Sequence, residues 1–156
     1  MKKVAVDTGV WIESIAISST YFDLASEIVE RINREEITAI ITPLTASETY
    51  YIAYRIYKQS GLNEKTAITK AEKLFNLLYS HRNIKVVLNK IIALKAGEIK
   101  RKYNIALSDA YLLAAAKHEK ATPVFRNIEK EMNPHLNELK NKYKIIFLSE
   151  IAKNIK

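Results

Sequence analysis

The sequence predicts a three-layer α/β/α domain built on a mainly parallel sheet. Short apolar strands alternate with helical stretches along the whole chain, the pattern of successive strand–helix–strand crossovers. The first strand, Val4-Ala5-Val6, runs straight into Asp7-Thr8-Gly9, as a buried strand does when it stops at a polar site. In open α/β sheets ligands gather beyond the carboxyl ends of the strands, which makes Asp7 the first candidate functional residue.

Bulk properties agree. At 156 residues, residues 1–156 are expected to form a single domain with a real core. Apolar content of 48% beside 27% charged residues argues against disorder, and three glycines and three prolines leave no visible linker. Twenty-five Lys and Arg against 17 Asp and Glu give a net charge of +8, which suits a polyanion partner or a set of lysine-solvated helix faces; charge alone favours neither. The chain has no cysteine, so disulfides and thiolate metal sites are excluded. The apolar run from Ala110 to Ala116 is far short of the ~18 residues that span a bilayer, and Asp7 interrupts the start where a signal peptide needs apolar residues. The expected location is the cytoplasm, with no membrane contact.

Taken in order, the stretch from Val10 to Ser19 reads as a loop or short turn. Ser19 or Thr20 then caps a helix with Leu24, Ile28, Val29 and Ile32 at helical spacing. Thr38 to Ile41 reads as a strand stopped by Pro43, and Thr45 or Ser47 as the cap of a helix running to Gln59. Asn63 starts a helix with an apolar stripe of Ile68, Ala71, Leu74, Phe75 and Leu78. Ile84 to Leu88 is a third strand. Asn89 caps a helix carrying Ile92, Leu94, Ala96 and Ile99, and Ser108 opens one that is apolar nearly all round, which implies deep burial. Thr122 to Phe125 is a fourth strand, whose Pro123 suggests a strand start or an edge. Pro134 fits the first turn of a helix to Lys142, and Ile145 to Leu148 is the last strand.

Three acids stand out. Asp109 shares a helical stripe with Leu112, Leu113 and Ala116, and a carboxylate on a buried stripe must be paired, hydrogen-bonded or metal-bound. The plainer alternative is a helix-start Asp beside Ser108, favoured by the dipole, and spacing alone prefers it. Asp7 suits a local turn with Thr8 and Gly9 as well as it suits a site. Glu48, in the first turn of its helix, is on position alone a solvated acid. Together they tell more, because all three fall at the same rim of such a sheet. Clustered carboxylates repel, and Mg²⁺ or Mn²⁺ relieves the repulsion with oxygen ligands and retained water. Water acidified in this way attacks phosphodiesters, and the Thr8 hydroxyl is placed to position it.

In this order and spacing, Asp7-Thr8, Ser47-Glu48 and Leu107-Ser108-Asp109-Ala110-Tyr111-Leu112 resemble a PIN-domain ribonuclease, most closely the VapC toxins of toxin–antitoxin pairs. The resemblance covers nearly the whole chain. It implies a parallel five-stranded sheet between helices and a Mg²⁺- or Mn²⁺-dependent endoribonuclease with Asp7, Glu48 and Asp109 as metal-holding catalytic acids, supported by Thr8 and Ser108. It also implies an RNA substrate, a cognate antitoxin protein and a homodimer. The pattern fails after the fourth strand, where the family has another Asp and this chain has Asn127, which offers a neutral oxygen; Glu129 matches a further, less regular family acid. The loss of a charge there weakens a metal site. Arg126 suits contact with substrate phosphate or with solvent alike.

Other residues point less clearly. His81, His118 and His135 lack ligand spacing. Tyr50, Tyr54 and Tyr57 repeat at helical spacing, as core or interface residues do more often than base-stacking ones, and Trp11 fits either core or site. The basic residues from Lys95 to Lys102 read as a stripe near the site or as a solvated face. Competing functions are a PIN-like binding module that holds RNA or protein without cutting, and a housekeeping RNA-processing nuclease. A phosphatase or nucleotide-binding protein ranks last, since no glycine-rich phosphate loop is present.

Overall fold

The computed structural model describes residues 2–155. Its sheet has five parallel strands in the order β3-β2-β1-β4-β5: β1 (Lys2–Val6), β2 (Ile37–Ile41), β3 (Ile84–Val86), β4 (Thr122–Phe125) and β5 (Ile146–Phe147). Parallel strands need crossovers, and seven of the eight α-helices among the described residues lie in them, the eighth following the last strand. The eight are α1 (Thr8–Glu13), α2 (Phe22–Asn33), α3 (Pro43–Gln59), α4 (Glu64–Ser80), α5 (Lys90–Tyr103), α6 (Leu107–Glu119), α7 (Leu136–Tyr143) and α8 (Leu148–Ile155). The three-layer parallel α/β fold expected from the alternation is the one observed.

The two-residue period of the strands sorts the core into two layers. Ala5, Ile40, Phe125 and Phe147 point to the face covered by α5, α6 and α7. Val4, Val6, Ala39, Ile41 and Val124 point to the other, covered by residues of α1, α2, α3, α4 and α8. Both faces are buried, so β1 and β2 read as apolar runs rather than alternating ones. Helix α6 is buried from Asp109 to Ala116 except at Tyr111, as its all-round apolarity implied. Trp11 belongs to this core, 1% exposed, and its indole N–H has no partner.

The strand order reverses at β1. From β1 the chain moves through β2 to β3 on one side, and β4 then returns to pair with β1 on the other. A crevice opens where neighbouring crossovers leave in opposite directions, here beyond the carboxyl ends of β1 and β4.

Several local expectations need correction. Val10 to Glu13 belong to α1 rather than to a loop, because Asp7 caps that helix by accepting from the Gly9 N–H at 2.9 Å. Neither Ser19 nor Thr20 caps α2, which starts after Tyr21 without a side-chain cap. Thr42 caps α3, where Thr45 lies at the third position of a reciprocal capping box and Pro43 takes the first turn. Asn63 and Asn89 cap α4 and α5 as expected, while Ala106 leaves α6 without a side-chain cap. Leu94 lies on the solvent side of α5, 62% exposed. Pro134 sits in a 3-10 helix (Lys130–His135) that precedes α7, and the last strand is only two residues because Leu148 already opens α8.

Pro123 is not at an edge, since β4 pairs with both β1 and β5. Val124 accepts from the Asp7 N–H at 3.0 Å, so Val124 faces β1 and Pro123 faces β5. Pairing with β5 begins only at Val124, opposite Ile146, so the missing donor of Pro123 breaks no ladder.

Candidate active site

Four acids lie at this rim of the sheet, delivered from four places in the chain. Asp7 follows β1 directly, held by its own backbone bond to Val124 and by the cap it makes with Gly9. Glu48 lies in the second turn of α3, fixed by the capping box behind it. Asp109 is the third residue of α6, 7% exposed, and Glu129 follows the exit of β4.

A hydroxyl ties two of these segments together. Thr8 is buried at the start of α1 and donates to Glu48 Oε2 at 3.1 Å, with a longer contact to the Thr45 carbonyl at 3.5 Å. Thr8 thus orients the Glu48 carboxylate rather than pointing to solvent.

Electrostatics show how close the acids are. The Asp7 carboxyl is pushed up to about 7, chiefly by burial, with Glu48 and Glu129 adding to the rise against the lowering effect of the Gly9 and Thr8 N–H groups. The Asp109 carboxyl is pushed up to about 8, again first by burial and then by Asp7, Glu129, Glu48 and Glu131. Acids whose pKa values are raised first by burial and then by neighbouring acids are candidates for a functional site.

Among the described residues, no three His, Cys, Asp or Glu side chains form a ready-made cage for one ion. The donor chemistry nevertheless fits a hard divalent cation. Carboxylate oxygens are what Mg²⁺ and Mn²⁺ prefer, and Mg²⁺ takes only one or two protein carboxylates while keeping several waters.

Arg126, read as a contact for substrate phosphate or for solvent, is partly exposed and pairs with a buried acid. Its Nε donates to Glu13 Oε1 at 2.5 Å, and Glu13 is buried, accepting also from the Tyr21 N–H at 3.0 Å. This ion pair joins the end of α1 to the segment that carries Asn127 and Glu129. Sequence reasoning missed Glu13; its only signal was an acid on the buried face of a stretch read as loop. Gly9 is needed beside it, since a Cβ there would stand 2.8 Å from Arg126 Cβ and 3.0 Å from Asp7 Oδ2. Asn127 and Ser108 are half-buried at this rim.

The remaining candidates have structural roles. Tyr50 packs edge-on against Phe75 at 6.3 Å, Tyr54 donates to Glu64 at 2.8 Å and Lys70 lies over the Tyr57 ring, so the tyrosine row joins α3 to α4. His81 accepts from the Asn83 N–H, His118 bonds Asn89 and His135 packs on Tyr103.

An open parallel sheet with acids gathered at its order reversal defines the class of α/β domain to which the chain belongs. Residues 4–129 match the family model of the PIN domain, and the chain belongs to that family. A solved structure described as VapBC2 from Rickettsia felis bound to a DNA fragment from their promoter shares the fold. It aligns with a TM-score of 0.58 and 14% identity over 93% of this chain and 96% of that one. No curated protein matches the sequence. No helix among the described residues is long and apolar enough to cross a membrane.

Proposed function

We propose that this protein is a Mg²⁺- or Mn²⁺-dependent endoribonuclease of the VapC toxin type, kept in check by a cognate antitoxin protein and working as a homodimer in the cytoplasm. The observation that carries the reading is the pair Asp7 and Asp109. They are distant in sequence, crowded at one rim and held with pKa values of about 7 and about 8. Burial and neighbouring acids both disfavour the ionised forms, a cost that a bound cation would relieve. PIN-family membership and the likeness in fold to a VapBC complex support the same reading.

In this reading the ion would be held by carboxylates drawn from Asp7, Glu48 and Asp109, with Glu129 and the neutral oxygen of Asn127 as further candidate ligands. When bound, the ion neutralises charge building on the phosphate and makes water more acidic. The chain's own groups do the rest. Thr8 keeps Glu48 in one orientation. Asp7 and Asp109 give up their protons to the solvent as the site loads, since only the ionised forms are good ligands. The first N–H groups of α6, which lack a side-chain cap, are free to receive a phosphate oxygen, and Ser108 stands among them.

Purified protein incubated with a structured RNA tests this. Cleavage that requires Mn²⁺ or Mg²⁺, and disappears in Asp109→Asn, is expected. No cleavage under either metal, with intact protein, overturns it. Asn127 and the lack of a ready-made cage favour a second reading, a PIN-like module that binds RNA or protein without cutting. RNA affinity that falls steeply with salt while no products form selects that reading.

A further inference from the structure

We propose that a groove between α5, α6 and α7 docks an acidic, apolar-anchored segment of a partner protein. The groove encloses about 480 Å³, within the range of ligand-binding clefts. Ile92, Ile99, Tyr103, Ala114 and Tyr143 form its floor. It is separate from the acidic rim. The α6 residues that reach it, Ala114 to His118, lie about one and a half to two and a half turns beyond Asp109.

Charge selects the occupant. Lys95, Arg101, Lys102, Lys117 and Lys142 line the groove against one acid, Glu98. Glu98 pairs with Lys95 at 2.8 Å, and Lys102 is held by Glu138 from α7. Lys142 lies over the Tyr103 and Tyr143 rings, 5.8 and 5.4 Å from their centroids. Among the described residues Arg101 and Lys117 have no carboxylate partner. A cationic rim over an apolar floor attracts a ligand that is both acidic and apolar.

Two other ligand classes fit less well. Nucleic-acid bases stack on open aromatic faces, yet Tyr103 and Tyr143 are 1% and 7% exposed. A small amphiphile filling the cavity leaves bare the apolar surface that continues from its edge at Ile91 to Leu94, one turn on along α5, both well exposed. A peptide segment covers that surface and also places side chains in the groove.

The test uses the full-length protein and a labelled synthetic peptide with leucines at helical spacing and glutamates elsewhere, followed by fluorescence anisotropy. Saturable binding is expected, weakened about tenfold by the pair Arg101→Glu and Lys117→Glu and about fivefold by Leu94→Ser. All three positions are exposed, so the variants fold. Binding to Asp109→Asn should equal that of the native chain, which separates this result from the fate of the nuclease reading. Equal binding of a peptide with lysines in place of glutamates overturns the proposal, as does undiminished binding by the charge-reversed variant. So does binding of oligoadenylate or dodecanoate where the acidic peptide fails.

Discussion

Thr8 and Glu48, forty residues apart in sequence, meet through a 3.1 Å hydrogen bond in which the threonine hydroxyl donates to the carboxylate. The bond aligns the one acid of the site that is borne on α3 with those borne by β1 and α6. It also explains why a threonine rather than an apolar residue follows Asp7 in a buried position.

Thr8→Val keeps the shape and removes the donor. Folding stability should fall by only about 0.5–1.5 kcal/mol, the usual worth of one hydrogen bond. Under the nuclease reading, metal affinity or cleavage rate should drop about tenfold or more, as when an outer partner of a ligand is lost. Chemical denaturation and a Mn²⁺ titration of RNA cleavage check the two halves.

The raised acids fix the sign of the pH dependence. Asp7 and Asp109 ionise at 3.8 in the unfolded chain and at about 7 and about 8 when folded. The folded state therefore holds protons that the unfolded state has released, and the stability these acids contribute is lost as pH rises from about 4 to 8. The two titrate as a coupled pair. The melting temperature in EDTA should fall across that window, and Asp109→Asn should flatten the fall and melt higher near pH 8. Added Mn²⁺ should raise the native melting temperature more at pH 8 than at pH 5, because binding displaces protons.

Gly9→Ala places a methyl group 2.8 Å from Arg126 Cβ and 3.0 Å from Asp7 Oδ2. Neither neighbour is the end of a free side chain. A loss of about 1–3 kcal/mol is expected from overpacking. Under the nuclease reading cleavage should fall with it, as Asp7 is displaced; urea denaturation and initial rates measure both.

Asn127→Asp restores an acid beside Glu129. Under the nuclease reading, Mn²⁺ affinity rises on the order of tenfold, while the metal-free protein loses stability above neutral pH through added repulsion. Calorimetry with Mn²⁺ and melting in EDTA check this. An unchanged affinity places Asn127 outside the metal's reach.

How much of this was legible in sequence depended on how local the physics was. Asn63 and Asn89 were readable as caps because an Asn side chain acts on its own helix within three residues. Thr42 was hidden, since Thr45 completes its box where a Glu or Gln is the familiar signal, and Pro43 read as a strand stop. Helix α1 is six residues long and starts at a Thr-Gly pair, too short for periodicity to register. The acids Asp7, Glu48 and Asp109 came from strand ends and helix starts, which topology brings to one rim. Glu13 was not legible, because its partner Arg126 lies at the other end of the chain and only the three-dimensional structure joins them.

The position of β1 at the middle of the sheet separates scaffold from chemistry. Asp7 begins where the apolar residues of that strand end, so Asp7→Asn, which keeps an acceptor for the Gly9 N–H, leaves the α1 cap and the core of Val4, Ala5 and Val6 in place. A chain disabled at this point should still be made in quantity and refold readily. Under the nuclease reading, good expression and a sharp melt are therefore no guide to whether a natural variant still cuts, and inactive copies should persist as well-behaved proteins.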